Sequence, residues 1–396
     1  MAGLSGLSNF WNTVKEVDLR PLRDQALRPV RIVLVGAANS GVQELAGRMV
    51  QDPARPDLNS RVNLPILTPE QAHLSPAPAL PVQAGQSMER ASQAASADLL
   101  VLVIDAGEEN NPVYKELVQG WSQANRNVVV FFNSAPERAP ATGAAWLSWG
   151  QRRVVSGSVQ DTQLLLGAFA TAVLDLLPDR HMSLGRRFPL FRVPAARRLI
   201  NDTCVSNAAY SISTGVAEVV PVLGVPLYVT DMVVLTKNQA YLVYKLGLTL
   251  GMSTDWQAYI AEFGSVLGSG FIWRQVARSL VGLVPAWGIV PKVAVAYSGT
   301  YVVGNAVLQW YLTGRHVSRG QMKALYRQAF GRGKELAARL TARLPHSRPR
   351  RGEKARPRHL PAGRRQTCPA CGKENAPEAV FCQFCGKQLS APAATH

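Results

Sequence analysis

Cys368-Pro-Ala-Cys371-Gly372 and Cys382-Gln-Phe-Cys385-Gly386 stand near the end of the chain, with ten residues between Cys371 and Cys382. Each pair can place two thiolates on one metal ion, and two pairs complete a tetrahedron. Such a donor set suits Zn²⁺. Sulfur fills all four positions and leaves none for water or substrate. The metal would therefore be structural, holding a segment too small to own a core. Disulfide pairing of the same cysteines is the alternative in an oxidising compartment. Gly372 and Gly386 follow the second Cys of each pair, where a residue without Cβ lets the turn aim backbone N–H groups at the sulfurs. Four of the five cysteines lie here, which points to a reducing compartment and leaves Cys204 as a small apolar core residue.

Residues 368–389 resemble the short zinc-ribbon family, with its Cys-Pro-x-Cys-Gly and Phe-Cys-x-x-Cys-Gly knuckles. The resemblance implies structural zinc on Cys368, Cys371, Cys382 and Cys385. Exposed Phe384 and the loop near Asn375 and Pro377 suggest a surface for docking a protein.

A second constellation lies near the start. Arg31-Ile-Val-Leu-Val35 reads as a buried strand. Gly36-Ala-Ala-Asn39-Ser40-Gly41-Val42-Gln43 and a helical run follow it. Strand, glycine loop and helix form the context in which backbone N–H groups cradle a phosphate. Two glycines of a G-x-x-x-x-G loop are present, but the lysine that should reach the phosphates is Val42, and the Mg²⁺-holding Ser/Thr is Gln43. Without that cation and that ligand, the main charge stabilisation for phosphoryl transfer is gone. Leu99-Leu-Val-Leu-Val-Ile104 and Val128-Val-Val-Phe-Phe132 read as further buried strands alternating with helices, which predicts a parallel, doubly wound sheet.

These residues resemble the Era-like, Ras-related GTPase domain. Ala97–Asp105 looks like its fourth strand. Asn133-Ser134-Ala135-Pro136 stands where that family reads guanine with Asn-Lys-x-Asp; Asn133 matches, while Ser134 and Pro136 depart. Val154-Val-Ser-Gly-Ser158 resembles the last base-contacting loop. No Asp-x-x-Gly lies between Gly47 and Asp98, a stretch that reads as a long loop with at most short strands. The resemblance implies a pseudo-GTPase whose degenerate nucleotide site comprises Gly36, Asn39, Ser40, Gly41 and Asn133. Weak binding of GTP or another nucleotide by the loop's N–H nest stays open. So does the reading that Gly36 and Gly41 merely serve the turn.

The elements that carry these sites divide the chain into a degenerate α/β domain at 1–178, an apolar helical domain at 180–344, a basic linker at 345–367 and the ribbon at 368–389. The predicted fold class is thus multidomain: α/β with a P-loop-type doubly wound sheet, plus an α-helical bundle and a small ribbon. Leu4, Leu7, Trp11, Val14 and Val17 recur at helical spacing, for packing on their own domain or for lying in a membrane interface. No basic segment precedes an apolar run at the N-terminus, so a cytoplasmic start without a signal peptide is expected.

In the helical domain, charges are sparse between Asp202 and Arg315, and residues 293–314 carry none. That run is long enough to cross a bilayer, though Tyr297, Ser298, Thr300, Asn305 and Gln309 make it less oily than a usual span. Gly299, Gly304, Ala294 and Ala306 offer small faces for close helix contact. Pro221-Val-Leu-Gly224-Val-Pro226 and Pro285-Ala-Trp-Gly288-Ile-Val-Pro291 each suggest a helical hairpin. Trp273, Trp287, Trp310 and Tyr311 suit either a headgroup boundary or a soluble core. Residues 315–343 carry eight Lys/Arg against Glu335 alone; within them 318–344 reads as a basic helix with Met322, Leu325, Ala329, Leu336, Leu340 and Leu344 near one side.

Pro221–Asp231, Thr236–Tyr244 and Leu283–Lys292 resemble the family filed as domain of unknown function 697, the helical domain of YcjF-like membrane proteins, often fused to Era-like domains. Membrane insertion with both ends in the cytoplasm, or a soluble bundle, are the two outcomes. Linker 345–367, rich in Arg, Lys and Pro, reads as a disordered tether.

The net charge of +17 favours anionic partners, namely acidic lipid, an acidic protein or, ranked lower, nucleic acid. The six His are scattered, and no Ser/His/Asp arrangement supports nucleophilic catalysis. The expected function is a non-catalytic scaffold at the cytoplasmic face of a membrane. The alternatives are an NTPase that recruits a cation such as Arg48 or Arg152, and a nucleic-acid binder acting through linker and ribbon.

Overall fold

The computed structural model describes residues 18–55, 62–72, 94–134, 152–217, 227–255, 289–315, 317–341, 366–375 and 389. The helix expected at 4–17, the 221–226 hairpin, the second hairpin up to Gly288, the linker through residue 365, and Ala135, Pro136, Cys382 and Cys385 lie outside them, while Ile289-Val-Pro291 of the second hairpin are helical. The chain divides into two compact units.

One unit comprises Leu22–Arg198 with Gly247–Ser253. Helix α1 (Arg20–Leu27, from Leu22 onward) leads into β1 (Ile32–Val35), α2 (Val42–Met49) and β2 (Ile66–Leu67). Then come β3 (Leu99–Asp105), α3 (Pro112–Gln123), β4 (Val128–Asn133) and β5 (Arg152–Gly157). The five strands form one parallel sheet in the order β2-β1-β3-β4-β5. The near-continuous apolar runs of β1, β3 and β4 are what a sheet covered on both faces needs. Their side chains alternate between two cores. Ile32, Leu34, Val101, Val103 and Phe131 pack with Val42, Leu45 and Met49 of α2. Val33, Val35, Leu102, Ile104 and Phe132 pack with Tyr114, Leu117 and Trp121 of α3. The sheet is thus parallel and doubly wound, as its pattern predicts. One reading needs correcting: Val154 to Gly157 form β5, pairing with β4, and the loop begins only at Ser158. A β-branched Val-Val pair beside an established strand gains more from completing the ladder than from staying in a loop.

After β5 come α4 (Thr162–Leu164), a π-helical turn (Leu165–Phe169) and α5 (Ala170–Leu176). Helix α6 (His181–Arg187) and the turn Pro189–Phe191 return to the same core. A relay of rings makes that contact: Phe131 meets Phe169 edge-on at 5.7 Å, Phe169 meets Phe191 at 5.9 Å, and Phe191 meets Phe188 at 6.4 Å. Burial and ring geometry both favour such pairs. Two arginines brace this unit. Arg186 donates to the carbonyls of Leu248 and Met252 at 3.2 and 2.8 Å. Arg192, only 7 % exposed, pairs with Asp52 at 3.1 Å.

The other unit comprises Leu199–Leu246 and Thr254–His396, with Met1–Pro21. Its described helices are α7 (Arg192–Ala217, from Leu199 onward), α8 (Leu227–Thr249, up to Leu246), α9 (Ile289–Thr313) and α10 (Arg319–Thr341). Small residues set the contacts. A Cβ on Gly304 would fall 2.6 Å from Ile200, and one on Gly333 would fall 2.8 Å from the Ala294 Cα. A buried polar junction joins three helices. Asn238 Nδ2 donates to Asn207 Oδ1 at 2.7 Å, and Asn207 Nδ2 donates to Thr300 Oγ1 at 2.8 Å. Tyr311, 2 % exposed, belongs to the core rather than to a headgroup boundary.

The uncharged run at 293–314 is helical, but no helix among the described residues is long and apolar enough to cross a membrane. Length was legible there; the polar positions 298, 300, 305 and 309 lower its hydropathy. Gly314, at φ +65°, ends α9, its N–H reaching the Trp310 carbonyl at 2.7 Å. A capping box opens α10. Gln321 N–H meets Ser318 Oγ at 3.3 Å, and Ser318 N–H meets Gln321 Oε1 at 2.9 Å. In α10 the fully buried line is Met322, Ala329, Gly333 and Ala337, whereas Leu325, Leu336 and Leu340 are half-buried. Close approach at Gly333 favours small residues over leucines at the contact.

Candidate functional site

The sheet order reverses between β1 and β3, and an open parallel sheet offers its ligand crevice at the carboxyl ends of the strands at such a point. The 36–41 loop leaves β1 there. Gly36 is held between its own loop and β3: a Cβ would lie 2.5 Å from Ser40 Oγ and 2.8 Å from the Val103 carbonyl of β3. Gly41 adopts φ +84°, the left-handed conformation that glycine tolerates, and precedes the first turn of α2. A Cβ on it would fall 2.3 Å from Asn133 Nδ2. Both glycines are therefore required by the local packing.

Asn133 ends β4 and ties two loops together. Its Nδ2 donates to the Ser40 carbonyl at 3.0 Å, and its Oδ1 accepts from Val159 N–H at 3.1 Å. Ser40 is buried, and both its N–H (3.0 Å) and its hydroxyl (2.7 Å) donate to the Ala37 carbonyl. Four of the five predicted residues, Gly36, Ser40, Gly41 and Asn133, are thus brought together. Asn39 stands exposed in the turn. Val42 lies 1 % exposed in the core, and Gln43 is exposed. Arg48, a cation the enzyme reading would enlist, sits in the last turn of α2 and donates to the Gln160 carbonyl at 2.7 Å.

Sequence reasoning left two participants without a role. Asp105 ends β3 beside the crevice and accepts from Gly107 N–H at 2.8 Å. Val159 takes part through its backbone, which no residue type could signal.

The described part of the ribbon is its first knuckle. Strands β6 (Gln366–Thr367) and β7 (Glu374–Asn375) pair antiparallel around it. Cys368 N–H donates to the Lys373 carbonyl at 2.9 Å, and Gly372 N–H donates to the Cys368 carbonyl at 2.8 Å. Gly372 has φ +69°. Ala370 N–H points at Cys368 Sγ at 3.4 Å, an arrangement that stabilises a thiolate ligand. Cys368 and Cys371 are not disulfide-bonded. This geometry fits the first half of a tetrathiolate zinc site.

Comparison with known proteins gives two matches. A zinc-ribbon domain model covers residues 367–389, so the C-terminus carries a zinc ribbon. The "Magnetosome membrane protein 22" of Magnetospirillum gryphiswaldense is 30% identical over 158 residues, 37% of this chain and 77% of that protein. No solved structure matches.

Proposed function

We propose, from the premise that this chain belongs to the same family as the magnetosome membrane protein 22 of Magnetospirillum gryphiswaldense, that it is a non-catalytic scaffold working at a membrane. The α/β unit is a degenerate Era-like GTPase domain, kept as a rigid body after losing hydrolysis. The helical unit, akin to domain of unknown function 697, attaches it to the cytoplasmic face. The zinc ribbon is displayed for a protein partner.

The observation that carries the non-catalytic part is Val42. Where a phosphate loop needs its lysine, this chain has an apolar side chain 1 % exposed in the core. Every side chain from residue 36 to residue 43 is neutral. Phosphoryl transfer depends on cations placed around the phosphates, so a neutral loop removes the principal source of acceleration. Asn133 is meanwhile committed to Ser40 and Val159, which supports a structural use of the old base-reading position.

In the ribbon, Cys368, Cys371, Cys382 and Cys385 hold Zn²⁺, which supplies the folding energy of the segment and no chemistry.

Equilibrium titration of the full-length protein with fluorescent GTP and ATP, with and without Mg²⁺, tests the head. The scaffold reading expects no saturable binding into the millimolar range. Mg²⁺-dependent micromolar binding with turnover would replace it with a nucleotide-controlled switch. Fractionation of cells tests the membrane part, which expects the protein to sediment with membranes.

A further inference from the structure

The basic helix α10 has two sides with different fates. Its line of Met322, Ala329, Gly333 and Ala337 is buried, with Gly333 against Ala294 of α9. That apolar face is already covered, so it is not available to sink into acyl chains as an interfacial helix would. The charge lies outside that line, its main row about a quarter turn from it around the helix. Residues 319–341 contain six Lys/Arg and one acid, Glu335. Lys323, Arg327 and Lys334 are exposed and follow i, i+4, i+11 spacing, which puts them within about 40° of one another around the helix. Lys334 Nζ rests 4.9 Å over the Phe330 ring, which holds it on that side. Glu335 lies away from this stripe, 3.7 Å from Arg339.

We infer that Lys323, Arg327 and Lys334 form a docking surface for the phosphate headgroups of an anionic bilayer, engaged by charge and without insertion of α10. The inference rests on the membrane reading above and deepens it by naming the surface and the mode. The charge complementarity is direct: three cations in one row meet a negatively charged plane. Proximity to an anionic leaflet strengthens binding about fivefold per basic residue. A membrane is favoured over nucleic acid because the family relative is named as a membrane protein.

The test is co-sedimentation of the full-length protein with vesicles of phosphatidylcholine, or of phosphatidylcholine containing phosphatidylglycerol, at low and high salt. Wild type should bind only the anionic vesicles, and release in high salt. Lys323→Gln/Arg327→Gln/Lys334→Gln should weaken binding about a hundredfold, three steps of about fivefold, with an unchanged circular dichroism melt. The charge-preserving Lys323→Arg/Arg327→Lys/Lys334→Arg should keep it. Salt-resistant binding to neutral vesicles would leave the membrane reading standing and overturn this one. So would binding lost only on Arg348→Gln/Arg350→Gln/Arg351→Gln in the linker, or equal stripe-dependent binding to duplex DNA. Failure to bind either vesicle would remove both readings.

Discussion

Asn133 Nδ2 donates to the Ser40 carbonyl at 3.0 Å across 93 residues of sequence. The same amide accepts Val159 N–H, so one side chain closes the crevice edge of the sheet. The side-chain amide carries its donor and its acceptor on separate atoms, so it serves both partners at once.

Asn133→Asp keeps the acceptor and loses the donor, leaving a carboxylate facing the Ser40 carbonyl. It is expected to cost about 2–3 kcal/mol, and Asn133→Ala about 1–3 kcal/mol. Gly41→Ala should cost a similar amount, because a Cβ there would strike Asn133 at 2.3 Å in a left-handed conformation. Urea unfolding of each variant measures this. A wild-type midpoint for Asn133→Asp would refute the bridging role.

The buried ion pair gives a sharper contrast. Asp52 Oδ2 meets Arg192 Nη1 at 3.1 Å, while Oδ1 accepts from Ala54 and Arg55 N–H at 2.9 and 3.2 Å. Removing one partner strands a buried charge, so Arg192→Met alone should lose about 3–5 kcal/mol. Arg192→Met with Asp52→Asn should recover part of that loss, because the amide still caps the turn. A double variant no more stable than the single one would show that the charge is not the issue.

For the ribbon, purified protein should contain one zinc per chain. Cys368→Ser, Cys371→Ser, Cys382→Ser and Cys385→Ser should each release it, measured by elemental analysis and chelator-coupled absorbance. Because the thiolates must be deprotonated to bind, zinc should also be lost on acidification. Cys204→Ser should leave the zinc content unchanged. Burial raises the Cys204 thiol pKa, so this thiol should resist alkylation at neutral pH in the folded protein.

Alkaline stability should follow two tyrosines. Burial, then the hydrogen bond to Glu108, pushes Tyr114 up to about 12; burial alone pushes Tyr326 up to about 12. The unfolded chain loses these protons near pH 10, before the folded chain does. Stability therefore holds below about pH 10 and falls as pH rises toward 12. The Tyr326 hydroxyl is buried with no hydrogen-bond partner among the described residues. Tyr326→Phe should thus flatten the alkaline loss without destabilising at neutral pH. Thermal melts across the range decide it; an unchanged alkaline slope would count against burial as the cause.

Local chemistry was written plainly in the residues. The Cys-x-x-Cys-Gly knuckle needs only near neighbours, and its turn, its left-handed Gly372 and its N–H to sulfur contact follow from them. The buried runs of β1, β3 and β4 likewise announce a parallel sheet, because both of their faces must be apolar. The neutral Val42 and Gln43 were legible for the same reason: what a loop lacks shows in its letters.

The tertiary structure decided what depends on partners far along the chain. The Val154–Gly157 segment became a strand because β4 stood beside it. Arg186 and Arg192 became structural contacts because the carbonyls of 248 and 252 and the carboxylate of Asp52 came within reach. Helix α10 shows the same division. Its amphipathic spacing was evident, but not that α9 covers the apolar side at Ala294, leaving the basic side outward. Periodicity specifies which residues share a face; packing alone specifies what that face meets, since a contact depends on distance in space and not on separation in sequence.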